Sequence, residues 1–261
     1  MIIKALTDEQ IKSKAPSIFA NVPHERLSDK YVMVQMGKII TDLRTLGWYP
    51  YDVSQARVIK ANNINTQAHM IKFRQEKDLD IMNVGEEIFE LLSVNGHNGR
   101  IPLAFYSGVF KVACENGLIV MQQDMGHFKV KHIGFTFAEM EELIINHVKK
   151  MKDVAANINE FKKITLDAYR KAVLATMIHQ ELKVKQPIPN LLTIRRAEDN
   201  KDDLWTTFNV IQENVIKGGV YYNSGPKNRR VKSRPIKNIQ RDVSSNLVMW
   251  GVLNQFYSKI I

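Results

Sequence analysis

Residues 203–219, DLWTTFNVIQENVIKGG, run straight into residues 220–241, VYYNSGPKNRRVKSRPIKNIQR. The first part spaces its apolar residues for a helix, with Trp205, Phe208, Val215 and Ile216 toward a core, and stops at a double glycine. The second part has no apolar period. Between Lys217 and Arg241 it holds eight Lys or Arg and no Asp or Glu. The whole chain has 37 basic and 27 acidic residues, a formal charge of +10, so the segment 217–241, read as an exposed loop, can supply 8 of the 10 excess charges. Cationic charge that concentrated implies a polyanionic partner, and nucleic acid is the one that also suits the aromatic neighbours. Tyr221 and Tyr222 offer rings on which bases can stack. A solvated loop kept polar for solubility is the competing reading.

Working outward, the 261-residue chain is long enough for one large domain or two modest ones, and 44% hydrophobic residues suffice for a real core. A single cysteine leaves no internal disulfide and suits a reducing compartment. The opening MIIKALTDEQ carries only a two-residue apolar run before Lys4, unlike a signal peptide, and no run approaches the roughly 18 apolar residues a membrane span needs. The expectation is a bacterial cytoplasmic protein with no membrane contact and no cofactor.

Three parts are expected: an N-terminal arm (1–27), an α+β core (28–162) and a helical C-terminal part (163–261) that carries the basic loop. In the arm, Thr7 and Gln10 form a capping box for a helix over 8–15, stopped at Pro16. A helix from Ser28 to Leu46, with Tyr31, Val34, Ile39, Leu43 and Leu46 on one side, should end at Gly47. WYPYDVSQARVIKA reads as a strand, NNIN as a turn and TQAHMIKFR as a second strand. There His69, Ile71 and Phe73 share one face, while Met70, Lys72 and Arg74 share the other. IFELLSV is a third strand, LAFYSGVFKVACENG a helix, and LIVMQQ with HFKVKHIGF a hairpin. Residues 137–162 repeat their apolar positions at three and four, a helix of about seven turns. Thr165 should cap a helix to about His179 with Leu166, Tyr169 and Val173 inward. Ile188 and Asn190 fall in a loop. A final helix aligns Ile239, Val243, Leu247, Trp250, Leu253, Tyr257 and Ile260. This adds to an α+β fold with an antiparallel sheet and packed long helices.

Catalytic signals are sparse. His97, in the turn Asn95-Gly-His-Asn-Gly99, has no carboxylate beside it to orient it as a base. His127 and His132 fall on opposite faces of their strand, and Cys114 has no CxxC partner. Gly108, Gly117, Gly218 and Gly219 form neither GxGxxG nor a phosphate loop, and no HExxH or paired-carboxylate pattern occurs. No enzyme is expected.

GEEIFELLSVNGHNGRIPLAFYSGVFKVACENGLIV resembles the pattern "pEivLlNSHDG…y.l.aGvfRlvCsNGLvv" of a phage- and plasmid-borne family known as a domain of unknown function, number nine-three-two. DLWTTFNVIQENVIKGG resembles that family's most distinctive phrase, RPIKNIQRDVSSNLVMWGVLNQF its closing helix, and LGWYPYDVSQARVIK with HMIKFR its opening hairpin. The resemblance covers about residues 28–257 and implies a gene of a mobile element, with no activity attached. The chain departs from the pattern at Gly96, Asn98 and Glu115, where Ser, Asp and Ser are usual, and lacks an arginine near Lys131. The element order is also similar to that of phage single-strand annealing recombination proteins, an analogy of fold alone.

The function expected is therefore a phage-encoded protein that binds single-stranded DNA and promotes annealing as a homo-oligomer, a ring or filament. Lys72, Arg74, Arg100 and Lys111 would line a basic groove over the sheet. Lys217, Lys227, Arg229, Arg230, Lys232, Arg234 and Lys237 would clamp the backbone, with Tyr221 and Tyr222 stacking on bases. The alternative is a mobile-element inhibitor or regulator that binds a host defence protein or nuclease.

Overall fold

The structure, a computed structural model, describes residues 4–28, 31, 33–57, 61–80, 87–111, 116–120, 128–129 and 136–260. The chain divides into two compact units, one of residues 1–112 and 121–151, the other of residues 113–120 and 152–261.

In the first unit, Thr7 caps α1 (Asp8–Lys14) through the expected reciprocal box with Gln10. A 3₁₀ turn over Pro16–Phe19 comes next, and Ile11, Ala15 and Ile18 are buried in the core. Helix α2 (Met36–Thr45) starts eight residues later than Ser28, with Gln35 at its N-cap, and ends at Gly47, whose φ of +80° is the left-handed conformation that favours glycine. Strands β1 (Trp48–Gln55), β2 (His69–Gln75), β3 (Glu87–Asn95) and β4 (Ala104–Lys111) form an antiparallel sheet in that order. The NNIN stretch belongs to a 3₁₀ segment, Ala61–Thr66.

Two expectations fail here. LAFYSGVFK is strand β4, paired with β3 from Glu87↔Lys111 to Val94↔Ala104. Residues 103–105 and 107–109 are buried, a nearly continuous run, and a short apolar run of that kind fits helix and strand alike until the neighbouring strand settles it. The residues read as one hairpin also separate. Among the described residues β5 (Asn116–Val120) and β6 (Phe128–Lys129) do not pair with each other, and β6 pairs instead with β4 at Ala104↔Lys129 and Phe105↔Phe128. Cys114, His127 and His132 lie outside the described residues.

Both faces of β2 are covered. His69, Ile71 and Phe73 are fully buried, as their alternation implies, but Met70 and Arg74 are buried too. The core joins these strands to α2, with Trp48, Phe73, Leu91 and Phe105 packed beside Ile39, Ile40 and Leu43.

Helix α3 (Phe137–Lys163) confirms the long amphipathic period. Its later residues Val154, Ile158 and Phe161 are buried in the second unit, where Phe161 meets the rings of Trp250 and Tyr257 edge-on at 6.0 and 4.9 Å. The next helix, α4 (Ala168–Leu182), is capped by Asp167, which accepts from the Arg170 amide. Thr165 instead makes a β-bridge to Asp203. Leu166 is buried as expected, while Tyr169 is 76% exposed and Val173 only half-buried. Ile188–Leu191 is a one-turn helix, α5, rather than loop. Helix α6 (Leu204–Ile216), capped by Asp203, and α7 (Ile239–Ile260) complete the packing, with α4, α5 and α7 all against α6. The architecture is α+β, with strands framed by helices and α3 following them. No described helix is long and apolar enough to cross a membrane.

Two buried histidines of the first unit make its stability depend on pH. His69 is held neutral with a pKa lowered to about 3, by burial and then by the neighbouring His97. Burial lowers that of His147 to about 4. Both groups bind protons more readily when unfolded, near 6.5, so stability is full above that pH and falls as pH drops toward 4 and 3. Between pH 6.5 and 5 each should cost about 1.4 kcal/mol per pH unit. Urea midpoints at pH 7.5 and 5.0 check this, and a midpoint unchanged between them contradicts it.

Candidate functional site

The site is built on the end of α6. That helix is buried from Leu204 to Val215 on every side, including Thr206, Asn209, Gln212, Glu213 and Asn214. A buried polar group without a partner costs about 1–3 kcal/mol, so each of these needs a partner. Gln212 donates to Asn246 of α7 at 3.0 Å, and Asn246 donates to Asp242. Asn209 donates to the Trp205 carbonyl at 2.7 Å. Asn214 donates to the carbonyls of Leu191 and Thr193 at 2.8 and 2.9 Å and accepts from Arg195 at 2.9 Å. Glu213 accepts both terminal nitrogens of Arg196, whose Nε binds Asp199 at 2.9 Å.

At the end of α6 the chain reverses through Gly218 (φ +58°) and Gly219 (φ +87°). A Cβ on Gly218 would lie 2.7 Å from the Arg234 carbonyl carbon and 2.8 Å from two backbone oxygens, so no other residue fits. The reversal is tied by Gly219 N–H to Ser233 O at 2.8 Å, Ser233 N–H to Val220 O at 2.9 Å and Ile236 N–H to Ile216 O at 2.8 Å. Arg195 donates to the Gly218 carbonyl.

Beyond the two glycines the chain forms a β-hairpin rather than a loop: β7 (Tyr221–Ser224) and β8 (Arg229–Lys232), with Gly225 and Asn228 at positive φ in the turn between them. Tyr221, Tyr222 and Val231 on either side of Gly-Pro-Lys-Asn carried that signal: residues of high strand propensity around turn formers. The register pairs Tyr221 with Lys232 and Tyr222 with Val231, so the two tyrosines face opposite ways and cannot form one stacking platform. On one side Arg230 and Lys232 lie 4.7 and 5.4 Å from the Tyr221 ring centre. The other side, with half-buried Tyr222 and Val231, borders a cleft of about 910 Å³.

That cleft is bounded by the end of α4, the hairpin and the start of α7. Six exposed cations line it, Lys183, Lys185, Lys232, Arg234, Lys237 and Arg241, and no described Asp or Glu does. Its half-buried or buried apolar residues are Leu182, Val184, Val215, Val231 and Ile236. Lys183 and Lys185 are not legible as part of this surface from sequence, because they lie 38 and 36 residues ahead of Tyr221 and only the fold brings them there. Lys183 closes α4 in a left-handed conformation, φ +50°, where the helix carbonyls favour a cation.

The other expected contacts fare unequally. Lys227, Arg229, Arg230, Lys232, Arg234 and Lys237 are exposed. Lys217 is held 3.5 Å from the buried Glu213. In the first unit Arg100 is exposed, Lys72 lies 3.5 Å from Asp52, and the side chain of Lys111 lies outside the described residues. Arg74 cannot bind a phosphate. It is fully buried, bonded to Glu90 at 2.7–2.8 Å, and stands 4.0 Å from the centre of the Tyr51 ring. Tyr51 donates to the same carboxylate, and burial, followed by the Glu90 charge, pushes its pKa well up. His97, too, is wholly buried, its ring 5.2 Å from that of His69, and presents no face to a substrate.

Residues 23–250 match the model of a family described as "Domain of unknown function (DUF932)". Two proteins of Escherichia coli (strain K12) are similar: the UPF0380 protein YfjQ, 28% identical over 255 residues, and the UPF0380 protein YafZ, 27% identical over 255 residues. Each alignment covers 95% of this chain and 90% of the relative. No solved structure matches the chain.

Three variants separate frame from surface. Gly218→Ala should lower the melting temperature, since it combines a left-handed backbone, about 1–2 kcal/mol, with a backbone clash. Arg74→Ala leaves Glu90 buried without its cation and should cost about 3–5 kcal/mol. Arg229, Arg230, Lys232 and Arg234 replaced together by Ala should leave the melt almost unmoved, as exposed charges contribute little. Circular-dichroism melts of the three variants check the ranking.

Proposed function

We propose that this chain, which belongs to the DUF932 family, is a mobile-element protein that binds single-stranded DNA and promotes annealing as a homo-oligomer, with neither a catalytic step nor a cofactor. The observation that carries the reading is the second unit's basic cleft: six exposed cations around one concave surface, with no described carboxylate among them. A surface of one sign, curved around its ligand, raises the local concentration of a polyanion. The hairpin adds Lys227, Arg229 and Arg230 beyond the cleft, and its outer side carries a Tyr221 ring that is 51% exposed. Charge and aromatic surface together suit single strands, whose bases are free to stack. Unlike a groove over the sheet, this surface does not need Arg74 or Lys72. The resemblance to a phage- and plasmid-borne family supports the mobile-element setting.

Fluorescence anisotropy with labelled oligonucleotides across a salt series tests the reading. If about 4–6 phosphates are neutralised per protomer, log affinity should fall with a slope of roughly −3 to −4 against log salt. The quadruple alanine variant at 229, 230, 232 and 234 should bind more weakly and flatten that slope by up to about 3. No binding at low salt would overturn the proposal. Light scattering should show an assembly larger than the 30.0 kDa chain, and a monomer with and without DNA would remove the annealing part.

A further inference from the structure

The cleft is not uniformly basic. Its six cations are all exposed, whereas Leu182, Val184, Tyr222, Val231 and Ile236 are half-buried and Val215 is buried. The lining is therefore graded by depth, with charge at the rim and apolar surface at the floor. Ser233, Ser245 and Gln186, also buried, add a few polar groups to that floor. A polyanion recognised by charge alone has no use for such a floor. Bare phosphate or a sulfated sugar would leave it wet. A nucleotide matches both levels, because its base is a flat, weakly hydrated ring and its phosphate a hydrated charge.

On the reading above, that the second unit binds single-stranded DNA, we infer that the cleft takes a short run of nucleotides with bases turned inward and phosphates outward. The bases lie on Tyr222 and the aliphatic floor, and the phosphates meet Lys183, Lys185, Lys237 and Arg241 at the rim. Duplex DNA cannot bind this way, since its bases are already stacked and its phosphates face outward on both strands. The volume, about 910 Å³, falls within the roughly 300–1,000 Å³ of built ligand pockets, so each protomer covers only a few nucleotides. The rest of a longer strand stays free to pair, which reconciles base burial with annealing.

The Tyr222 ring is the discriminating contact. Its neighbour Tyr221 is on the opposite side of the hairpin and serves as the internal control. The test uses the full chain and three labelled probes of equal length at one salt concentration: oligo-dT, an abasic deoxyribose-phosphate chain, and a blunt duplex. Oligo-dT should bind at least tenfold more tightly than the abasic chain. Tyr222→Ala should shrink that ratio several-fold with little change in salt slope. Lys183→Ala combined with Lys185→Ala should weaken dT and the abasic chain equally and flatten the slope. Equal affinity of wild type for dT and the abasic chain overturns the inward-base inference while leaving a polyanion-binding protein. A duplex bound as tightly as dT overturns it too. Binding to none of the three overturns the function on which it rests. The wild-type comparison needs no variant to fold, so the inference is decided even if Tyr222→Ala is unstable.

Discussion

A helix without a wet side has to answer each of its polar side chains from within the protein. Helix α6 meets that demand at Gln212, Glu213 and Asn214 with groups drawn from three directions, Asn246 from α7, backbone carbonyls from the α5 turn, and Arg195 and Arg196 from the segment before it, and leaves the buried Thr207 hydroxyl unanswered among the described residues. Each of those bonds is worth only about 0.5–1.5 kcal/mol net, but leaving one unmade costs more than making it gains. The consequence is positional. Arg195 and Asn214 hold the end of the helix, the end of the helix holds the double glycine, and the double glycine directs the hairpin. The exposed, charged part of the second unit thus inherits its position from its most buried part.

The first unit uses buried polarity differently. Arg74, Glu90 and Tyr51 form a closed set across three neighbouring strands, and the serine hydroxyls of Ser17 and Ser107 meet the ring nitrogens of His69 and His147 at 2.9 and 2.8 Å. Such groups add little net stability compared with apolar packing, but they penalise any strand pairing that separates them. A slip of one residue between β2 and β3 would place Arg74 and Glu90 on opposite faces.

Much of this architecture is legible in the chain itself. The Thr7–Gln10 box, the left-handed stop at Gly47, the α3 period and the α7 stripe are local signals, and each is where its residues put it. What could not be read was non-local. A short aromatic-rich run such as 104–111 satisfies helix and strand spacing alike until β3 lies beside it. Arg74 looked like a surface cation because nothing near it in sequence shows that Glu90 will arrive on the next strand. The functional surface shows the same division. The charge run of 227–237 is visible at once, while Lys183 and Lys185 join it only through the fold, and the alternation of Tyr221 and Tyr222 needs the hairpin. The family pattern identifies the kinship of the chain, and says nothing of what the chain does.

The hairpin has two ends with very different freedom to vary. At its base, Gly218 is walled in by the backbone of Ser233 and Arg234, and the chain after the second strand is bonded back to the helix end from which the first one leaves. At its tip, the Gly225–Asn228 turn is exposed, and a Cβ on Gly225 would meet nothing within 4 Å. Closing a longer turn costs little, because loop entropy grows only with the logarithm of length. Insertions of an even, register-preserving kind can therefore accumulate at the tip without disturbing the cleft below it. The hairpin can thus change its reach at the tip without any change at its root.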